Sequence, residues 1–204
     1  IKMVNKIKLY KNFNIRNIHK NSILLIGNFD GVHLGHQKLF KLAKKYKRKF
    51  SLKIGVLTFE PMPKMYFNKK IQNFRISNQQ QKIRFLDKLN VDFVIMKKFD
   101  KKFSKTKSID FIKKILAKKI NPKLIFVSNN FKFGNKREGN VQQLIEYENY
   151  ANYKIIKPKP LLSKKKIISS TLIRNYLKKG NLKTANKILS RNWSIQGHVQ
   201  KGKQ

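Results

Sequence analysis

Two imidazoles three residues apart, His33 and His36, lie in the segment LLIGNFDGVHLGHQKLF, directly behind an apolar run and a Gly-Asn turn. The run ends in Gly27 and Asn28, Asp30 and Gly31 make a tight turn, and His33-Leu34-Gly35-His36 opens a helix. N–H groups at a helix start have no partner inside the helix, and the dipole there is positive, so the pattern describes an anion site. Gly35 lets backbone approach a phosphate closely, and the three-residue spacing turns both rings toward one side. Donors placed this way offset the charge that develops on phosphate oxygens when an α-phosphorus is attacked and pyrophosphate leaves. No covalent nucleophile is required. Two plainer readings compete: a metal pair, or polar residues that merely begin a helix. The chain holds only 4 His, and two of them sit behind an apolar strand, which is the setting phosphate chemistry demands. The other two, His19 and His198, lack ligand-spaced neighbours, which argues against zinc.

A second cluster stands in KKKIISSTLIRNYLKKG, where Ser169, Ser170, Thr171 and Arg174 begin another helix. The hydroxyls can cap that helix and also meet phosphate. Arg174 lies one turn inside, on the face of Ser170 and Thr171, and offers a planar two-donor fork. The plain alternative is a capped helix with a surface arginine; its occurrence beside HxGH favours the phosphate reading.

Positioning these residues needs strands and helices in alternation, and the apolar pattern supplies them. Runs at 22–27, 52–59, 91–96, 124–128 and 153–157 read as strands of a parallel sheet, giving an α/β, Rossmann-like fold flanked by helices. Leu39, Leu42, Ala43 and Tyr46 form one helical stripe, and Ile109, Ile112 and Leu116 another. Ser77 with Gln80 predicts a capping box for a helix through Leu89, Asn140 a cap for 141–151, and Gly180 the close of a helix begun near Ser170. Two stretches, 60–75 and 129–139, read as long loops at strand ends, where open parallel sheets bind ligands. From Trp193 the pattern changes to alternation, like an opening strand.

Composition narrows the classes further. The 204 residues suffice for one domain with a small appendage, and the absence of cysteine excludes disulfides, thiolate metal sites and cysteine nucleophiles. No stretch approaches a membrane span and the first residues do not read as a signal peptide, so a soluble cytoplasmic protein is expected, with no membrane partner. Lys plus Arg number 49 against 9 acids, a net charge of +40, which raises nucleic acid as a partner. The cations are mostly Lys spread along the chain, and heavy use of Lys, Asn and Ile matches A/T-rich codons. No specific nucleic-acid partner is therefore expected.

GNFDGVHLGHQ followed far downstream by ISSTLIR resembles the HxGH nucleotidylyltransferase superfamily, and within it the bacterial FAD synthetase module. Between them, TFEPMPKMYF is similar to that family's TFxPHP segment, FRISNQQQKIRFL to its loop and helix before the third strand, and VSNNFKFGNKREG to its NFxFG loop. The resemblance implies a nucleotidylyltransferase-type fold, ATP and FMN as substrates, Mg2+ accompanying ATP, and direct transfer of AMP to the FMN phosphate. It also implies roles. Gly27, Asn28, Phe29, Asp30, Gly31 and Gly35 would hold ATP, with His33, His36, Ser170, Thr171 and Arg174 as the catalytic set. Phe59, Pro61, Pro63, Asn130, Phe131 and Phe133 would face the flavin.

The sequence departs from the family pattern at Met62, in place of the PHP histidine, at Ser128, in place of a Gly, and at Ile167, where a basic residue often stands with Lys166 beside it. The end, SIQGHVQKGKQ, resembles the opening of the riboflavin kinase module that follows in this family. The expected division is a domain over 1–190 and the start of a truncated kinase barrel over 191–204. Rival expectations are a relative with another phosphate acceptor (nicotinamide mononucleotide, pantetheine phosphate or glycerol phosphate) and a polyanion-binding protein with a decayed site.

Overall fold

The structure, a computed structural model, describes residues 7–68, 70–71, 75–163 and 166–197. Its centre is a parallel sheet, and all five strands read from the sequence form close to their expected ends. The first strands are β1 (Lys8–Tyr10), β2 (Ile23–Ile26), β3 (Ile54–Glu60), β4 (Phe93–Lys98) and β5 (Leu124–Phe126). Then come an antiparallel pair, β6 (Lys132–Phe133) and β7 (Gly139–Asn140), and the last sheet strand, β8 (Lys154–Ile156). A second small hairpin joins β9 (Leu162–Ser163) and β10 (Lys166–Ile167).

The order across the main sheet is β1-β4-β3-β2-β5-β8, with every pair parallel. β1 has no counterpart in the sequence reading. It is a short edge strand with Lys8 and Leu9 exposed, too brief to show a period, and lysine suits an edge open to solvent.

Every residue of β2 is buried, because both faces of the sheet are covered. Leu24 and Ile26 pack with Leu57, Phe93, Ile95, Ile125 and Phe111 in one layer. Ile23 and Leu25 pack with Ile54, Val56, Val94, Phe126 and Phe40 in the other. The alternation is real, but both destinations are apolar, so the strand reads as an unbroken apolar run.

The helices are α1 (Leu34–Phe50), α2 (Pro63–Phe67), α3 (Gln79–Lys88), α4 (Lys101–Ser104), α5 (Ser108–Asp110), α6 (Val141–Glu146), α7 (Glu148–Ala151), α8 (Ser170–Lys178) and α9 (Leu182–Leu189). α5 runs on as a π-helical stretch, Phe111–Ile120, in which Ile112, Leu116 and Ile120 are fully buried. The capping box of α3 lies one residue later than expected: Asn78 Oδ1 accepts from Gln81 N–H at 2.8 Å and Gln81 Oε1 from Asn78 N–H at 2.9 Å. Ser77 is unavailable because it is buried and its Oγ accepts from Gly31 N–H at 3.1 Å. Asn140 caps α6 through Gln143 N–H, but the expected single helix breaks at Tyr147. Gly180, at φ 67°, follows α8 as expected.

From β2 the chain moves outward to β3 and β4 and then returns to β5 on the other side of β2. That reversal places a topological switch point, the favoured ligand crevice of open α/β sheets, at the carboxyl end of β2. Beside it a third apolar cluster joins Ile76, Ile168, Ile173, Ala185, Ile188 and Leu189, with Trp193 packed against it. Residues 192–197 carry no regular secondary structure. The remainder of the expected opening strand, 198–204 with His198, lies outside the described residues, as do Lys164 and Lys165 before the Ser169 motif. Among the described residues no helix is long and apolar enough to cross a membrane.

Candidate active site

After Ile26 the chain turns through residues 27–33, and Phe29, Gly31 and Val32 take left-handed backbone angles of 48°, 76° and 39°. Such a turn persists because its neighbours over-determine it. Phe29 and Val32 are buried as apolar anchors, and a Cβ on Gly31 would come within 2.9 Å of Ile76.

Asp30, inside the same turn, is only 2 % exposed. Its carboxylate accepts from Ile76 N–H at 3.0 and 3.1 Å, from Ser77 N–H at 3.2 Å and from Arg174 Nη2 at 2.7 Å. Its carbonyl accepts from Ser170 Oγ at 3.0 Å. The two motifs, 140 residues apart, therefore meet at Asp30. The resemblance assigns Asp30 to ATP and Arg174 to the catalytic set, but in the structure the two are ion-paired to each other. A carboxylate left free beside phosphates would repel them; held inward by Arg174, it braces the turn instead. Ser169 caps α8 by accepting from Leu172 N–H, and Thr171 stays exposed.

The first backbone bond of α1 runs from Gln37 N–H to His33 C=O, so the N–H groups of Leu34, Gly35 and His36 have no partner within the helix. The His33 and His36 rings stack with centroids 3.7 Å apart and an interplanar angle of 19°. Both Nδ1 atoms are buried without a hydrogen-bond partner among the described residues. Burial above all, then the nearby Arg191 and Arg174, pushes His33 down to about 4, while burial, His33 and Lys82 hold His36 well below its ordinary value. Both rings are thus neutral near pH 7, each with one donor and one acceptor nitrogen, and an arriving phosphate anion would favour their protonated forms. A Cβ on Gly35 would lie 3.1 Å from His33 Nδ1 and 3.3 Å from the Ile168 carbonyl, so glycine lets ring and helix start pack together.

Lys82 went unnoticed in the sequence. It is 3 % exposed on α3, with Nζ 3.5 Å from Thr58 Oγ1, which itself donates to Asn28 C=O at 3.3 Å. Burial pushes its ammonium down to about 8 despite the opposing charge of Asp30. A buried cation is thus linked to the 27–33 turn through Thr58.

The residues expected to face a flavin gather at the ends of β3 and β5. Phe59 stacks on Phe103 at 5.5 Å and meets Phe99 edge-on; Phe131 stacks on Phe133 at 5.6 Å. Phe133 is buried and tilts onto Phe111, so it backs the wall from within the core. Asn130 is exposed, its Oδ1 accepting from Ser128 Oγ at 2.9 Å. Pro61 and Pro63 flank Met62, which is 2 % exposed and precedes α2. Ile167 is exposed on β10.

An HxGH helix start at the switch point of a parallel α/β sheet, joined to an Ser-Thr-Arg helix start, defines the nucleotidylyltransferase class. The chain belongs to the FAD synthetase family, which matches residues 15–172. It is 40% identical over 190 residues to the bifunctional riboflavin kinase/FMN adenylyltransferase of Buchnera aphidicola subsp. Schizaphis graminum, covering 93% of this chain and 61% of that protein. The similarly named protein of Escherichia coli K12 is 33% identical over 195 residues, covering 92% and 62%. The chain thus spans about three fifths of the length of these curated relatives. A crystal structure named as a macrolide-efflux protein from Streptococcus pneumoniae shares the fold at a TM-score of 0.78 and 28% identity, covering 92% of this chain and 72% of that one.

Proposed function

We propose that this chain transfers AMP from ATP to FMN, giving FAD and pyrophosphate. The stacked His33 and His36 imidazoles at the start of α1, whose Nδ1 atoms have no hydrogen-bond partner among the described residues, carry the reading, in a chain of the FAD synthetase family. An FMN phosphate oxygen attacks the α-phosphorus of ATP, that new P–O bond forms, the α–β bridge bond breaks, and its electron pair leaves with pyrophosphate. His33, His36 and the free N–H groups of α1 stabilise the charge that builds on the phosphate oxygens. Gly27, Asn28, Phe29, Gly31 and Gly35 shape the ATP turn, while Asp30, Ser170 and Arg174 brace it, with Thr171 beside them. Phe59, Pro61, Pro63, Asn130 and Phe131 take the flavin, with Phe133 behind. Flat aromatic walls suit a flat ring.

Mg2+ would enter with the ATP phosphates. Among the described residues no three acidic or imidazole side chains converge as a cage, and Asp30 is already engaged. The described residues do not fit a protein-held ion. The cysteine-free composition suits a reducing cytoplasm. In the proposed arrangement residues 1–190 form this domain and 191–204 lead toward a kinase module of the kind the relatives' names describe.

The test is to incubate the chain with Mg-ATP and FMN, and separately with Mg-ATP and riboflavin, and to separate the flavins by chromatography. FAD from FMN and no product from riboflavin is the expected result. A folded chain that makes no FAD from FMN but consumes ATP with another phosphate acceptor overturns the flavin reading.

A further inference from the structure

The segment that follows α9 lies outside the HxGH and SSTLIR motifs, yet it is bonded directly to the phosphate turn. Arg191 donates from Nη2 to the Gly31 carbonyl and from Nη1 to the Leu189 carbonyl at 3.1 Å, with its guanidinium 3.7 Å over the Phe85 ring. Gly31 is thereby held on both sides, since its N–H donates to Ser77 Oγ. Trp193 Nε1–H donates to the Ile76 carbonyl at 2.9 Å, and Ile76 N–H donates to the Asp30 carboxylate. Ile76 is thus also held on both sides. Gln81 Nε2 donates to the Ser194 carbonyl at 2.9 Å, and Gln37 Nε2, from the first turns of α1, donates to Ser190 Oγ at 2.7 Å.

We propose that residues 190–194 form a strap that positions the phosphate turn for adenylyl transfer, with Arg191 as its positioning residue; this rests on the reading of the turn given above. Two routes reach the turn, one through Arg191 to Gly31 and one through Trp193 and Ile76 to Asp30. A strap that only filled space would need no cation. An apolar side chain would cover Phe85 as well, without the cost of half-burying a guanidinium. The cation also acts on the chemistry, because, after burial itself, the Arg191 charge helps to keep His33 neutral. The two N–H donors of the fork bridge Gly31 to Leu189, a geometry a point-charge ammonium does not reproduce.

The experiment is an NMR titration of the His33 imidazole, with steady-state kinetics and amide exchange, in the unaltered chain, Arg191→Gln, Arg191→Lys and Trp193→Phe. In Arg191→Gln the His33 midpoint should rise by about one pH unit, and Arg191→Lys should return it. In the same Gln variant kcat should fall about tenfold while KM for FMN stays within about twofold, and Lys should restore only part of kcat. Trp193→Phe keeps the ring and removes the donor; Ile76 and Gly31 amides should exchange faster, with kcat down about threefold. An unmoved His33 midpoint, or an unchanged kcat, in a folded Arg191→Gln chain overturns the strap. If that variant does not fold, unchanged amide exchange and kcat in Trp193→Phe overturn it. Failure of the flavin reading shows separately, as an unaltered chain that makes no FAD, and the titration and amide exchange then decide the strap alone.

Discussion

The proposed phosphate side and the proposed flavin side of the crevice are built by opposite means. On the phosphate side Asp30, His33 and Ser77 are buried, Asp30 alone binds groups from two distant segments, and the backbone is held in left-handed angles. On the proposed flavin side Asn130 is exposed, its Oδ1 accepting from Ser128 Oγ, and aromatic rings stack in pairs, with the Arg75–Glu60 ion pair at the end of β3 beside them. Charge that appears only in a transition state is stabilised by dipoles fixed beforehand, and fixing them takes a dense network. A flat, largely apolar ring needs area and shape, which stacked side chains give without rigid polar bonding. In the proposed reaction, rigidity is therefore concentrated where charge moves.

The largest expected effect breaks the phosphate side. His36→Ala should slow AMP transfer about a thousandfold or more, with the circular dichroism spectrum retained, as for loss of a preorganised donor. Turnover equal to the unaltered chain, measured as FAD formed from FMN, would reject the role of the imidazole pair.

The same burial should appear as acid sensitivity. The unfolded chain titrates His33 near 6.5 and the folded chain at about 4, so below pH 6.5 unfolding takes up a proton that the folded protein refuses. The stability contributed is fully present above pH 6.5 and is lost as pH falls toward 4, amounting to about 3 kcal/mol from His33, with His36 adding in the same direction. Chemical unfolding followed from pH 7 to 4 checks this. A chain in which both imidazoles are replaced by Asn should show a flatter profile; an equally steep one would assign the acid loss to other groups.

The difference between the two sides also explains what could be read from sequence. The HxGH turn was legible because its chemistry sits in rare residues: there are 4 His in the chain, and two of them lie behind an apolar strand. Lys82 and Arg191 were not, because among 49 basic residues a buried cation carries no local mark. The inward turn of Asp30 depends on partners 46 and 144 residues away, and no spacing rule reaches across that distance. The parallel sheet was legible from its apolar runs, while β1 was too short to show a period. The α3 cap was misplaced by one residue because Ser77 looks like a cap locally and is taken by Gly31 only in the fold.

The smallest expected effect sharpens the flavin side. Asn130 is exposed and its amide oxygen accepts from Ser128, two residues away, so removing it disturbs little of the fold. Asn130→Ala should leave the unfolding midpoint within about 0.5 kcal/mol, as for a surface substitution away from packed groups. Its effect belongs in KM for FMN, raised about fivefold for one lost polar contact, while KM for ATP stays constant. Titrating each substrate at saturating levels of the other separates the two. Equal changes in both constants would mean that the 128–131 loop serves the phosphate turn as well, and the division between a rigid side and a permissive side would have to be redrawn through Ser128.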